Sequence, residues 1–208
     1  MKYASIISII FHICSCVYVF IGAYVHVSNF KSRVNGLYLF LASSMSGWAF
    51  AYGIANSAPT AEASAYWRSF GILGLGAFYS VLLHFLLILT YDEKLSDKRY
   101  RLIILIPIYL PAVINIALFS PFGLLADTQY IMVQSDFGWI NVIPVNAGEI
   151  WLNSYCTLYL IASVALIAIW LKKKQRPKPY EGTDYPSFII LDFYNYRGNG
   201  SNFRTHRF

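Results

Sequence analysis

Apolar residues in this chain neither alternate nor recur in narrow stripes; they run unbroken. Five such stretches, Tyr3 to Val27, Leu37 to Ser57, Trp67 to Tyr91, Leu102 to Phe119 and Trp151 to Leu171, contain no Asp, Glu or Lys, and their one Arg, Arg68, stands at an end. A helix rises about 1.5 Å per residue and a bilayer's hydrocarbon core is about 30 Å thick, so each stretch can cross as a helix, the fourth only just. The short breaks Ser28 to Gly36 and Ala58 to Tyr66 hold the first three spans antiparallel and adjacent. The pattern predicts an all-α integral membrane protein, a five-helix transmembrane bundle.

One connection breaks the pattern. Ser120 to Ile150 is long and oddly apolar for a loop, and a structureless segment of that length would be unusual. Within it Gln129 to Gln134 and Gly138 to Ile143 are rich in Tyr, Ile, Val and Trp and are separated by Ser135, Asp136 and Phe137. They predict a small β-hairpin between the fourth and fifth membrane helices, with Pro144 ending its second strand. Phe137, Trp139 and Ile140 would be costly to leave in water, so the hairpin is expected to fold down as a lid.

Composition agrees with the membrane assignment: 57% of residues are hydrophobic, 12% are charged and the mean hydropathy is +0.50, against about 25% charged in a soluble domain. The net charge of +6 is distributed along the chain and does not form the single basic patch that nucleic acid would need, so no nucleic-acid partner is expected. Lys31 and Arg33 follow the first span, Lys94, Lys98, Arg99 and Arg101 the third, and Lys172, Lys173, Lys174, Arg176 and Lys178 the fifth. The opposite connections hold only Lys2 and Arg68. Cytoplasmic loops carry the Lys and Arg excess, which predicts an N-out/C-in topology in the cell membrane with the hairpin extracellular. The first stretch is too long for a signal-peptide core and is expected to remain. Cys14, Cys16 and Cys156 lie inside spans, where sulfur packs as a small apolar group.

Within the spans, small residues at helical spacing, Ser43, Gly47 and Ala51 in the second and Gly76 and Ser80 near Gly71 and Gly74 in the third, predict close helix approach. Pro107 and Pro111 each remove a backbone donor from the fourth, so that helix either opens a cavity or merely adjusts its shape. His12, His26 and His84 are expected to make interhelical or interfacial polar contacts. No paired carboxylates, nucleophile with base, phosphate loop, or Cys and His cluster is present, so no catalytic residue, cofactor or metal is expected.

The outer half of the bundle is the place to look for a ligand. Aromatic walls with a few convergent amides suit a small amphipathic molecule, and the candidates are Trp48, Tyr52, Asn56, Tyr79, Asn115, Asp136, Trp139, Asn153 and Tyr155. Asn115 stands out because an amide in hydrocarbon must find a partner. Trp67 and Trp151 sit where interfacial anchors belong. Asp127, Asp136 and Glu149 would rim the mouth and favour neutral or cationic amphiphiles.

The stretch WRSFGILGLGAFYSVLLHFLLILTYDEKL across the third span, LIPIYLPAVI in the fourth, FGW at Phe137 to Trp139, IWLNSYCTLYLI in the fifth and NGLYLF followed by Trp48 in the second resemble the N-terminal seven-helix sensor region of bacterial histidine kinases and some diguanylate cyclases. The resemblance covers residues 1 to 180 and implies a membrane receptor module that passes a signal to a cytoplasmic output domain. In such proteins two more helices and the output domain follow, whereas here the sequence after Gly182 has no span-length apolar run. Residues 181 to 208 are therefore expected to be a disordered or aberrant cytoplasmic tail on a truncated receptor, which would act through a homodimer or a separate output protein. The alternative function is a small carrier or lipid-handling protein, which an internal inverted repeat would favour and which none supports. A structural subunit packing through its small-residue rows is a third.

Overall fold

The computed structural model describes residues 2–91, 98–142 and 146–174. Its elements are α1 (Ala4–Ser28), α2 (Arg33–Asn56), α3 (Ala61–Tyr91), α4 (Lys98–Phe119), the single turn α5 (Ala126–Gln129), β1 (Ile131–Ser135), β2 (Gly138–Val142) and α6 (Ala147–Lys174). Five helices are long and apolar enough to cross a membrane, and they contain the five stretches singled out above apart from a residue or so at the ends of two. Starts are extended by polar caps: Ser32 Oγ accepts from Asn35 N at 3.3 Å, Thr60 Oγ1 from Ala63 N at 3.2 Å and Asn146 Oδ1 from Glu149 N at 2.9 Å. Pro144, Lys94 and the tail from residue 175 onward lie outside the described residues.

α1 packs on α2, α2 on α3, and α3 also touches α4 and α6, so α3 is the hub of the bundle. α2 carries small residues on two faces. Toward α1, Ala42 meets Gly22, Ser15 Oγ lies 2.8 Å from Ser46 Oγ, and Ser8 Oγ donates to the Gly53 carbonyl. Toward α3, any side chain at Gly74 would collide with the Ser44 carbonyl and the Trp48 amide, while Gly71 faces Ala51 and the Tyr52 ring. The expected row Ser43, Gly47, Ala51 therefore splits: Ala51 is buried, but Ser43 and Gly47 are exposed and nothing lies within 4 Å of a Cβ built at Gly47. Ser46 and Gly53 take interhelical hydrogen bonds from α1, while Ala42 and Ala51 turn inward by close packing alone, a choice that spacing does not encode.

The prolines of α4 leave the helix unbroken. Without an N–H at Pro111 the Pro107 carbonyl has no helical donor, and Tyr159 Oη of α6 supplies one at 3.0 Å. The next carbonyl, of Ile108, accepts from Ser80 Oγ at 2.6 Å and from Tyr159 Oη at 3.0 Å. Tyr155 makes a parallel bolt between α6 and α3, its hydroxyl donating to Gly76 O at 2.9 Å and accepting from Ser80 N at 3.2 Å. The donor and acceptor of one helical turn are thus bridged by a side chain from another helix.

The hairpin forms in antiparallel register, Ser135 opposite Gly138 and Ile131 opposite Val142, with Asp136 and Phe137 as a two-residue turn. Ser135 belongs to the first strand, one residue beyond the expected end. Gly138 has φ +109°, a left-handed value that a side chain resists, and a Cβ there would lie 2.5 Å from the Asn56 carbonyl oxygen. That glycine lets the hairpin sit down on the end of α2.

Candidate ligand-binding site

At the hairpin end of the bundle α2, α3, α5, the hairpin and the first turns of α6 enclose a cavity of about 140 Å³. Trp48 and Tyr52 come from α2, Arg68, Gly71, Ile72 and Leu75 from α3, and Glu149 and Leu152 from α6. Gln129, Tyr130 and Asn141 close the remaining side from α5, the link into β1, and β2. No residue of α4 lines it.

Arg68 is the structural centre of this wall. Its guanidinium lies 4.7 Å from the centroid of the Tyr52 ring and its Nη2 donates to the Trp139 carbonyl, tying α3 to the hairpin. Opposite in charge, Glu149 accepts from Gln129 Nε2 and, at 2.8 Å, from Asn153 Nδ2, and its place in the first turn of α6 suits the positive end of that helix. Burial pushes the Tyr130 phenol well above its ordinary value; Tyr52 and Glu149 add to the shift and Arg68 opposes it, so both charges act on one hydroxyl. That hydroxyl donates to Phe119 O at 3.2 Å.

Four buried polar atoms without a hydrogen-bond partner belong to residues of this one wall: Trp48 Nε1, Arg68 Nε, Gln129 Oε1 and Asn141 Oδ1. A buried donor or acceptor left unmet costs about 1–3 kcal/mol. Four of the seven such atoms among the described residues belong to residues that line this one cavity.

The residues singled out from sequence divide into three groups. Trp48 and Tyr52 line the cavity. Asn56, Trp139 and Asp136 fasten the hairpin: Asn56 Nδ2 donates to Phe137 O at 2.8 Å and to Ala4 O at 3.3 Å, Trp139 Nε1 to Ala58 O at 2.7 Å, and the Asp136 carbonyl accepts from Tyr3 N at 2.8 Å while its side chain is exposed. Tyr79, Asn115 and Tyr155 belong to the packing of α3, α4 and α6; the Tyr79 and Tyr155 rings are 6.0 Å apart. Asn115 is half satisfied: its Oδ1 accepts from Trp151 Nε1 at 2.8 Å, which makes Trp151 an interhelical contact as well as a candidate interfacial ring, while its buried Nδ2 has no hydrogen-bond partner. Asn153 is exposed and reaches the cavity only through Glu149.

The lid is fastened chiefly by polar contacts: Phe137 and Ile140 are exposed, although Phe137 stacks on Tyr3 at 5.7 Å. The acidic rim also resolves differently, since Asp127 and Asp136 are exposed whereas Glu149 is half-buried in a wall that includes a cation. Arg68, Gln129, Tyr130 and Asn141 escaped the sequence reading, which placed Glu149 on the rim of the site. Only Arg68 carried a signal, as the one charged side chain within the apolar stretches.

Of the three histidines expected to make polar contacts, His26 has a buried Nδ1 without a hydrogen-bond partner and only a ring contact with Phe30, 5.2 Å away. His84 Nδ1 lies 2.8 Å from Tyr109 Oη between α3 and α4, while His12 Nδ1 lies 2.7 Å from the Ser8 carbonyl of its own helix. Among the described residues no group of three His, Cys, Asp or Glu could hold a metal.

Comparison with known families returns one described as the N-terminal 7TM region of histidine kinase, matched over residues 6–181. Neither the curated proteins nor the solved structures contain a match to the chain.

Proposed function

The chain belongs to the family of N-terminal 7TM regions of histidine kinases, and from that premise we propose that its hairpin-end cavity is the signal-binding site of a membrane sensor module. The matched part is the multi-pass membrane region of such kinases, not their catalytic part. The observation that carries the reading is that four buried polar atoms without a partner belong to residues lining one cavity. A site of this kind is filled by a small molecule able both to accept and to donate hydrogen bonds.

The hairpin end faces outward in this proposal. Basic residues support it: Lys31 and Arg33, Lys98 to Arg101 and Lys172 to Lys174 all fall at the other end of the helices, as they should if that end is cytoplasmic. A signal taken up outside then biases the packing of α2, α3 and α6, the three helices that contribute to the cavity and extend from it to the opposite end. The membrane is the inner one of a bacterial cell, and the recipient is a kinase output domain.

Two measurements test this. Single cysteines at residues 136 and 31 should label with an impermeant reagent in whole cells at 136 and not at 31; the reverse would overturn the orientation. In purified protein a small polar ligand found by thermal-shift screening should lose its effect in Leu75→Phe, which fills the cavity. A ligand that stabilises parent and variant alike binds elsewhere, and the site assignment would be wrong.

A further inference from the structure

The polar atoms around the cavity are sorted by element. Unpaired donors, Trp48 Nε1 and Arg68 Nε, come from α2 and α3. Unpaired acceptors, Gln129 Oε1 and Asn141 Oδ1, come from α5 and β2, where the Glu149 carboxylate of α6 joins them. The lining residues from α2 and α3 therefore carry a cation and N–H groups, and those from α5, β2 and α6 an anion and carbonyl oxygens.

From this sorting we infer that the ligand is a small zwitterion of the amino-acid type, its carboxylate held by Arg68 and Trp48 and its ammonium by Glu149, Gln129 and Asn141. The inference rests on the sensor reading above and names the chemistry of that same site. A singly charged ligand would answer one of the two charges and leave the other facing it across a low-dielectric space. A carboxylate takes the two donors, and an ammonium has three N–H groups for three acceptors. Both Glu149 oxygens already accept one bond each, and a carboxylate has room for about four. Size points the same way: cavities near 150 Å³ admit benzene, so about 140 Å³ holds a molecule of roughly six heavy atoms. The apolar part of the lining, Ile72, Leu75 and Leu152, suits a short aliphatic side chain.

The test uses the full chain in nanodiscs, with glycine, alanine and serine as probes and propionate, ethylamine and propionamide as fragments that keep one end or neither charge. At least one amino acid should raise the melting temperature, with each fragment needing at least tenfold higher concentration. Glu149→Gln and Arg68→Gln should each weaken the amino acid at least tenfold. They should shift preference in opposite senses, Glu149→Gln toward propionate and Arg68→Gln toward ethylamine, a crossover that general misfolding cannot produce. Phe20→Leu, on the exposed face of α1, should bind as the parent does. If a fragment matches the amino acids and Leu75→Phe abolishes its effect, the zwitterion is wrong and the sensor site stands. If none of the six compounds gives an effect sensitive to Leu75→Phe, both are overturned.

Discussion

At Gly138 and Asn56 a whole substructure depends on two side-chain positions. Gly138 is in the left-handed region, where a Cβ would strike Asn56, and Asn56 in turn bridges the hairpin turn to the first residue of α1. Gly138→Ala should cost about 2 kcal/mol, the order expected for forcing an ordinary residue into a disfavoured backbone region. Limited proteolysis should show faster cleavage around residues 136–138, and an unchanged melting temperature and cleavage rate would refute the role given to this glycine. Asn56→Ala should cost about 1–2 kcal/mol through the two lost bonds. Neither effect was readable from the sequence, which marked Asn56 only as an amide near a ligand. Asn115 was more legible, because an amide deep in an apolar stretch must be partnered whatever the fold; that the partner is Trp151 depends on how α4 and α6 meet.

The membrane helices could be read because lipid allows so few alternatives. A spanning segment must satisfy its own backbone and present apolar side chains for its whole length, and both demands are written in a run of sequence. The exceptions within helices are where tertiary structure intervened. Pro111 predicts a free carbonyl at Pro107, but nothing near it in sequence says that Tyr159, 52 residues on, will donate to it. Tyr159→Phe should destabilise by about 1 kcal/mol, within the range measured for hydrogen bonds between membrane helices. In a Pro111→Ala background, where a backbone N–H returns, the same change should cost clearly less. Comparing the four proteins by unfolding in mixed micelles gives a coupling of about 0.5–1 kcal/mol if the account holds, and simple additivity would contradict it. The small-residue rows show the same division: spacing foretold close approach, while the packing against α1 turned Ala42, Ser46 and Gly53 inward and left Ser43 and Gly47 exposed.

For the molecule as a whole, membrane class and family were legible over nearly the full described length, whereas the cavity was not. Trp48 and Tyr52 were visible because aromatic residues in a span invite attention. Arg68, Gln129, Asn141 and Glu149 come together only when α3, the hairpin and α6 are packed, across a sequence separation of some 80 residues. The hairpin end therefore brings together a charge of each sign, four of the seven buried polar atoms left without a partner among the described residues, and a hairpin that polar bonds hold in place. If this is where the signal enters, the Trp48 indole N–H gains a partner on binding. The most direct measurement is the ¹⁵N–¹H resonance of the Trp48 indole in selectively labelled protein as the best compound from the small polar screen is added. A saturable downfield shift at Trp48, small at Trp67 and lost in Leu75→Phe, is the predicted result; a Trp48 resonance that stays fixed while the protein is stabilised would contradict the site.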